Sequence, residues 1–181
     1  MYYQKIKGER IYLSPMDINQ EGEIITQWFN EDETLAFGSG FYHRLLGIEK
    51  VSDLLAKWNE GPFAFSIVHK ESNAFMGHVT LFDLAAHEQA ATLGIYMGKP
   101  YRNMGYGKEA LTLLIDYAFR TQRFMALHLQ VYGFNDNALH VYQQLGFQEC
   151  GRWHACYYHK GQFHDIVLME LLREQWQKQV K

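Results

Sequence analysis

Apolar residues recur every three or four positions in four segments of the chain, which predicts four amphipathic helices. The clearest segment carries Leu111, Leu114, Ile115 and Ala118 at helical spacing, on a helix that we expect to begin near Lys108. Short apolar runs bounded by turn residues predict strands instead. The four predicted helices cover residues 17–30, 49–59, a segment from 108, and 137–145. The seven predicted strands cover residues 10–13, 63–69, 75–85, 91–97, 126–132, 151–158 and 163–171.

The order of these elements differs from a regular alternation of strands and helices. One strand is followed by two helices, three strands, a helix, a strand, a helix and two strands, which predicts a mixed α/β sheet covered by helices. Residues 31–46 show no clear period and contain Gly38 and Gly40, so we expect a loop there. The 181 residues fit one domain with a sizeable core, and we expect 1–181 to be a single domain.

Composition and charge argue against several classes of protein. A net charge of -3 gives no support to nucleic-acid binding or to binding at an anionic membrane. The first residues lack a signal-peptide pattern and no apolar run reaches membrane-spanning length, so we expect a cytoplasmic protein. Cys150 and Cys156 do not form a disulfide framework. His154, His159 and His164 match no compact zinc pattern, and we predict no metal.

The segment Arg102-Asn103-Met104-Gly105-Tyr106-Gly107 joins a predicted strand to a predicted helix. A glycine-bearing turn at the start of a helix directs several backbone N–H groups to one point, where the helix dipole adds partial positive charge. Gly105 and Gly107 let an anion approach the backbone closely. The turn therefore suits a phosphate or pyrophosphate group, and a helix-opening turn without a ligand is the simpler alternative.

Two nucleotide-binding patterns can be compared with this turn. Gly105-x-Gly107-x-x-Ala110 fits the dinucleotide fingerprint G-x-G-x-x-G/A, but the next predicted strand, 126–132, lacks the acidic residue that goes with it. A P-loop is excluded, because Arg102 would stand at its first glycine and Glu109 at its Ser/Thr position. A nicotinamide-dinucleotide enzyme is therefore disfavoured.

The turn resembles the acetyl-CoA signature Q/R-x-x-G-x-G/A of the GNAT superfamily of N-acetyltransferases, all of whose fixed positions are present in 102–107. The pattern Asn135-x-x-Ala138-x-x-x-Tyr142-x-x-x-Gly146-Phe147 is similar to the second conserved block of that family. Residues 8–15 and 164–173 resemble the subgroup that holds ribosomal-protein N-terminal and spermidine acetyltransferases. The resemblance implies a GNAT-like fold, with a mostly antiparallel sheet of about seven strands splayed between strands 4 and 5 and flanked by about four helices.

By this resemblance the chain takes acetyl-CoA as co-substrate. The backbone of Ile95 and Met97 pairs with the pantetheine arm, and Gly94 suits a bulge that splays the sheet beside it. Asn135 contacts the same arm, caps the following helix, or does both. Tyr142 lies near the sulfur and donates a proton to the departing thiolate, or else packs its helix against the sheet. The residues that the resemblance assigns to the pyrophosphate are Arg102, Asn103, Met104, Gly105, Tyr106, Gly107 and Lys108.

The chain departs from the family pattern at Thr92, where many members carry a glutamate that acts as base or positions a water. A threonine does not accept a proton at neutral pH, so another base or a water is needed. If the strands around His87 and Glu88 form a tight hairpin, Asp83 lies opposite Thr92 on the same face and is a candidate base. A slip of one residue would move it to the other face. The substitution also keeps open a non-catalytic acyl-CoA-binding regulatory module.

The sequence says less about the residues that bind the acceptor amine. The resemblance implies a pocket built by the first two helices, their loop and the last hairpin, and these segments carry Phe37, Phe41, Tyr42, His43, Trp153, Tyr157 and Tyr158. The run 31–33 is acidic and either attracts a cationic amine or forms a solvated surface. We therefore expect an N-acetyltransferase that moves acetyl to a small-molecule or peptide amine by direct attack in a ternary complex. A homodimer is compatible with the resemblance.

Overall fold

The computed structural model describes residues 1–31, 45–84 and 89–179. Its α-helices are α1 (Ile18–Phe29), α2 (Ile48–Glu60), α3 (Tyr106–Asp116), α4 (Asp136–Gln144) and α5 (Arg173–Gln179). Its strands are β1 (Ile6–Lys7), β2 (Ile11–Pro15), β3 (Ala64–His69), β4 (Phe75–Phe82), β5 (Ala90–Met97), β6 (Ala126–Tyr132), β7 (Gln148–His159) and β8 (Gln162–Leu172). None of the helices in these ranges is long and apolar enough to cross a membrane.

The strands form a mixed α/β fold whose sheet is mostly antiparallel and has one parallel pair, as predicted. Contacts between residues divide the chain into two compact units, 1–81 with 94–114 and 82–93 with 115–181. The boundary between the units passes through β4, β5 and α3, so each of these elements contributes residues to both.

The first unit contains strands in the order β1-β2-β3-β4-β5. In the antiparallel pair of β3 and β4, Ser66 lies opposite His78 and Ile67 lies opposite Gly77, and the register shifts directly after the second of these pairs. A Cβ atom on Gly77 would lie 2.0 Å from the backbone oxygen of Tyr96, so only glycine fits there. Helices α1 and α2 bury an apolar cluster against this unit: Ile25, Trp28, Phe29, Val51, Leu55 and Phe75.

The second unit begins with the N-terminal half of β5, which pairs in parallel with β6 over only three residues of each strand. The last of these pairs joins Thr92 to His128. Strand β6 then pairs antiparallel with β8 along its whole length, and β8 pairs with β7. In α5, the Trp176 ring packs against Phe119 with the ring centroids 5.2 Å apart. The short parallel ladder ends two residues before Gly94, the residue at which the bulge was predicted.

The sequence pattern located most elements within a few residues. Gly146 follows the last residue of α4 and its capping residue with φ of +93°, which confirms it as the helix terminator. The prediction of seven strands missed β1, because two residues are too short to show a period. The helix α5 was also missed, since its predominantly polar sequence gives only one buried residue, Trp176. Strand β4 ends three residues earlier than predicted, because Asp83 turns into the left-handed region with φ of 54°.

Candidate active site

The glycine turn lies in the first unit, between the end of β5 and the start of α3. Asn103 and Gly105 have φ of 60° and 82°, so the chain twice enters the left-handed region before the helix begins. The N–H of Glu109 donates to the carbonyl of Gly105 over 3.1 Å and begins the hydrogen-bond ladder of α3. Backbone N–H groups before that bond point out of the helix start, where they can bind an anion.

The end of β5 supports this turn directly. The guanidinium Nε of Arg102 donates to the carbonyl of Met97 over 2.9 Å. A Cβ atom on Gly107 would lie 3.6 Å from Met97 Cγ and 3.7 Å from Ile95 Cδ1, at ordinary van der Waals contact. The structure therefore brings Ile95 and Met97 beside the first turn of α3, as the predicted donor site requires. The backbone pairing of these residues with a pantetheine arm stays a prediction.

Arg10 and Glu109 hold the turn from outside, and sequence reasoning missed both. Glu109 Oε1 accepts the backbone N–H groups of Arg10 at 2.8 Å and Ile11 at 3.3 Å, and Oε2 accepts Arg10 Nε at 3.1 Å. Arg10 Nη1 donates to the carbonyl of Met104 at 3.0 Å, and its guanidinium lies 4.6 Å from the ring centroid of Tyr106. No sequence pattern links these residues, because 99 positions separate them.

Glu109 is ionised at neutral pH. Burial by itself would raise the pKa of its carboxyl group, but the backbone N–H groups of Arg10 and Ile11 and the Arg10 guanidinium hold that pKa below its usual range. A negative charge therefore stands in the first turn of α3, paired with the positive charge of Arg10.

Asn135 lies in the second unit, between β6 and α4. Its side-chain Oδ1 accepts the N–H of Ala138 over 3.2 Å, so it caps α4. The capping role considered from sequence is thus present in the structure. A contact between Asn135 and the donor substrate stays a prediction.

Tyr142 is a buried residue of α4, with 8% of its surface exposed. Its ring meets the ring of Phe147 edge-on, with the centroids 6.0 Å apart. Burial raises the pKa of the Tyr142 phenol to about 12. The hydroxyl therefore keeps its proton at neutral pH, which is the state that a proton donor needs.

Asp83 stands one residue beyond the end of β4 and is exposed. It therefore lies outside the strand ladder, whereas Thr92 lies within β5 and pairs with His128. The predicted hairpin tip, His87 and Glu88, is outside the described residues. The role of Asp83 as base stays a prediction.

The last hairpin presents aromatic rings at different depths. Trp153 and Tyr158 are exposed, at 48% and 60%. Tyr157 is buried and stacks on Tyr132 with the ring centroids 4.0 Å apart. The remaining acceptor residues named from sequence, Phe37, Phe41, Tyr42 and His43, are outside the described residues. Within 1–31, 45–84 and 89–179, no cluster of His, Cys, Asp and Glu side chains could hold a metal ion.

A buried polar cluster in the first unit was not predicted either. His78 Nε2 lies 2.6 Å from Glu21 Oε2, and Ser66 Oγ donates to Glu21 Oε1 over 2.5 Å. Both Glu21 and His78 are at most 1% exposed. Burial would raise the pKa of Glu21, but the hydrogen bond and the charge of His78, together with the Ser66 hydroxyl, keep it below its usual range. Sequence analysis gave Glu21 no role, because nothing in the helical pattern of residues 17–30 distinguishes it from Glu23, which is exposed.

Comparison with known proteins agrees with this fold. The model of the acetyltransferase (GNAT) domain matches residues 10–148. An uncharacterized N-acetyltransferase of the SPbeta prophage of Bacillus subtilis is 26% identical over 117 residues, which is 64% of each chain. A spermidine N(1)-acetyltransferase of Vibrio cholerae is 22% identical over 110 residues, 61% of this chain and 64% of that relative. The chain thus spans less than two thirds of the length of either relative in these alignments.

Solved structures extend the similarity of fold to nearly the whole chain. The crystal structure of a spermidine N-acetyltransferase from Vibrio cholerae in complex with CoA and spermine matches with a TM-score of 0.80 at 17% identity. The match covers 94% of this chain and 99% of that chain. A GNAT-family acetyltransferase from Bacillus anthracis also gives a TM-score of 0.80, at 18% identity and over 96% and 99% of the two chains.

These findings define the class of protein to which the mixed sheet and the glycine turn belong. Because the family model covers more than half of the chain, the protein belongs to the GNAT family of N-acetyltransferases. Members of this family are acyltransferases that use acetyl-CoA as donor.

Proposed function

We propose that this protein transfers acetyl from acetyl-CoA to a primary amine, by direct attack of the amine in a ternary complex. The observation that carries the proposal is the glycine turn, whose left-handed residues lead into α3 at the position of the family signature. The donor supplies a thioester carbonyl for the amine to attack and a thiolate to leave. The tasks left to the protein are to hold the donor, to orient the amine and to move protons.

The donor's pyrophosphate is assigned to the backbone N–H groups of residues 102–108. The fit is chemical as well as geometric, since the start of an 11-residue helix carries partial positive charge and Gly107 leaves room for close approach. Because Arg102 is tied to the end of β5 and Gly107 faces Ile95 and Met97, the turn is held in place before the donor arrives. A site organised in advance loses less entropy when it binds.

Tyr142 is assigned the role of general acid toward the leaving thiolate. Its place in the second conserved pattern supports this role, and the hydroxyl is protonated at neutral pH because burial raises the pKa of the phenol to about 12. A weak acid of this kind stabilises the developing thiolate through a hydrogen bond and hands over its proton as the carbon–sulfur bond breaks.

The base that deprotonates the amine is assigned to Asp83, in place of the glutamate that Thr92 replaces. Asp83 is an exposed carboxylate close to the end of β4, so solvent can carry away the proton that it accepts. An Asp83→Asn variant should have a lower rate at neutral pH, because an amide cannot accept the proton, and should lose the acidic limb that a carboxylate base gives to the pH–rate profile. A profile and rate equal to those of the unchanged protein would remove Asp83 from the mechanism.

The acceptor is a cationic amine in its resting state, and polyamines are the first class to test. Three of the matching relatives are spermidine N(1)-acetyltransferases. In addition, Glu31 Oε2 is buried and has no hydrogen-bond partner within the described ranges, so this carboxylate has capacity for a further donor. A Glu31→Gln variant should raise KM for a polyamine more than KM for acetyl-CoA. Glu23→Gln, on an exposed position of α1, is the matched control.

The proposal is tested by free-thiol release from acetyl-CoA across a panel of amines that includes polyamines, aminosugars and short peptides. A no-amine blank is needed, because Cys150 and Cys156 are free and exposed. We expect amine-dependent release that falls by about 10²-fold in Tyr142→Phe without loss of CoA affinity. CoA binding without turnover on any amine would instead favour the non-catalytic regulatory module.

The homodimer is a separate prediction from the family resemblance. Sedimentation of the purified protein should give twice the mass of 21.3 kDa. A single species at the monomer mass would reject it.

A further inference from the structure

Arg10 and Glu109 do more in this structure than tie β2 to α3. They make four hydrogen bonds around one short stretch of backbone: Glu109 accepts from Arg10 N, Arg10 Nε and Ile11 N, and Arg10 donates to the carbonyl of Met104. The bond to Met104 is the one that reaches into the glycine turn.

The bond to the Met104 carbonyl fixes the direction of the next N–H group. Met104 C=O and Gly105 N–H belong to one planar trans peptide, in which the two groups point in opposite directions. Because Arg10 Nη1 holds the carbonyl at 3.0 Å, the N–H of Gly105 is directed away from Arg10. Arg10 Nη2 also lies 3.1 Å from the position that a Cβ of Gly105 would occupy, so the guanidinium packs against this peptide.

The charges of Arg10 and Glu109 also affect an anion at the start of α3. The carboxylate of Glu109 stands in the first turn of α3, where an unpaired negative charge would repel an anion bound at the helix start. Arg10 lies 3.1 Å from this carboxylate and offsets its charge. Arg10 is only partly buried, with 45% of its side chain exposed, so its role in holding the fold is modest.

We infer that Arg10 is a positioning residue for the anion site of the glycine turn: it aims the Gly105 N–H at the pyrophosphate of the donor and offsets the charge of Glu109. This inference rests on the proposed function, since it assumes that the turn binds the pyrophosphate of CoA. Arg10 itself need not touch the donor.

Substitution of Arg10 and substitution of Glu109 should therefore have different effects on the affinity for CoA. Arg10→Gln frees the Met104 carbonyl and leaves the Glu109 charge uncompensated, so the Kd for CoA should rise by about tenfold. Glu109→Gln keeps an oxygen acceptor for the N–H groups and leaves Arg10 charged, so the Kd should stay equal or fall. A pair that served only the fold would respond in the same direction to both substitutions.

The experiment measures equilibrium binding of CoA and of inorganic pyrophosphate by calorimetry for the full chain and for four variants. These are Arg10→Gln, Arg10→Lys, Glu109→Gln and the double variant Arg10→Gln/Glu109→Gln. The matched control is Arg120→Gln, which breaks the exposed pair of Arg120 and Asp116 elsewhere on the chain. Thermal unfolding without ligand checks that each variant is folded.

We expect weaker CoA binding in Arg10→Gln, partial recovery in the double variant, and unchanged binding in Arg120→Gln. Acetyl-pantetheine, which lacks the pyrophosphate, should be used as donor equally well by Arg10→Gln and by the unchanged protein. If Arg10→Gln does not fold, Arg10→Lys carries the test, because it keeps the charge but not the planar fork and should bind CoA with intermediate affinity.

The inference is overturned if folded Arg10 variants bind CoA as the unchanged protein does, or if Glu109→Gln weakens binding as much as Arg10→Gln. Failure of the proposed function gives a different result, in which the unchanged protein itself binds neither CoA nor pyrophosphate; the inference then falls with it.

Discussion

Two acid–base pairs in the first unit join distant parts of the chain, and they differ in burial. The side chains of Glu21, in α1, and His78, in β4, are buried, whereas Arg10 and Glu109 lie at the partly exposed start of α3. Breaking a fully buried pair leaves a charge without solvent, but breaking a partly exposed pair leaves both groups with access to water. From this difference we expect the first pair to act mainly on stability and the second mainly on the shape and charge of the proposed donor site.

The largest effect is expected from Glu21→Ala. This change removes the partner of His78 and of Ser66 in an environment without water, and should lower the free energy of unfolding by about 3–5 kcal/mol. Denaturant titration measures it, with Glu23→Ala on the exposed side of α1 as control. A loss below about 1 kcal/mol would show that the cluster is not a main support of the fold.

The pH dependence of stability also tests the contribution of Glu21. Because the pKa of Glu21 is lowered in the folded protein, its ionised form stabilises the fold above its ordinary pKa. This contribution is lost as the pH falls through the lower pKa of the folded state. The free energies of unfolding of Glu21→Gln and of the unchanged protein, measured between neutral and acidic pH, should therefore become more alike as the pH falls. Free energies that keep a constant difference would contradict this assignment.

A smaller effect on stability is expected from Gly105→Ala. The residue has φ of 82°, which a side chain disfavours, and the new Cβ would lie 3.1 Å from Arg10 Nη2. We expect a loss of about 1–3 kcal/mol, together with weaker CoA binding. Measuring both quantities on one protein sample tests whether the shape of the turn sets affinity. Weaker folding with unchanged CoA affinity would separate the turn from the donor.

The smallest effect on stability is expected from Arg10→Gln. A partly exposed ion pair contributes about 0–1 kcal/mol, so the unfolding midpoint should move little even though CoA affinity falls. For Glu21→Ala, by contrast, we expect a large loss of stability. If Arg10→Gln lost as much stability as Glu21→Ala, the distinction between the two pairs would be wrong.

The sequence reveals features that depend on neighbouring residues, but it does not reveal pairs that are distant along the chain. The order of most helices followed from hydrophobic periodicity, because each helix buries one face, and that of most strands followed from short apolar runs, since strands such as β3 are buried on both faces. The glycine turn was also visible, since Gly105 and Gly107 stand at fixed spacing between a strand and a helix. Arg10–Glu109 and Glu21–His78 were not visible, because their partners are 99 and 57 positions apart and only the folded chain brings them together. Strand β4 ends before Asp83, and the register of Asp83 against Thr92 stays a prediction, because residues 85–88 lie outside the described part of the chain.

The most direct test of the central claim, that the turn binds the donor's pyrophosphate, is CoA binding by Gly107→Val, with Gly107→Ala as the matched control. The family signature accepts glycine or alanine at this position, so the control should bind CoA as the unchanged protein does. A Cβ atom at position 107 meets the Met97 and Ile95 side chains only at ordinary contact distance, and valine is no poorer a helix former than glycine, so both variants should fold. The claim predicts that the larger side chain of Gly107→Val raises the Kd for CoA by about tenfold and that inorganic pyrophosphate competes with CoA in the unchanged protein. Unchanged CoA affinity in Gly107→Val, with no competition by pyrophosphate, would contradict it.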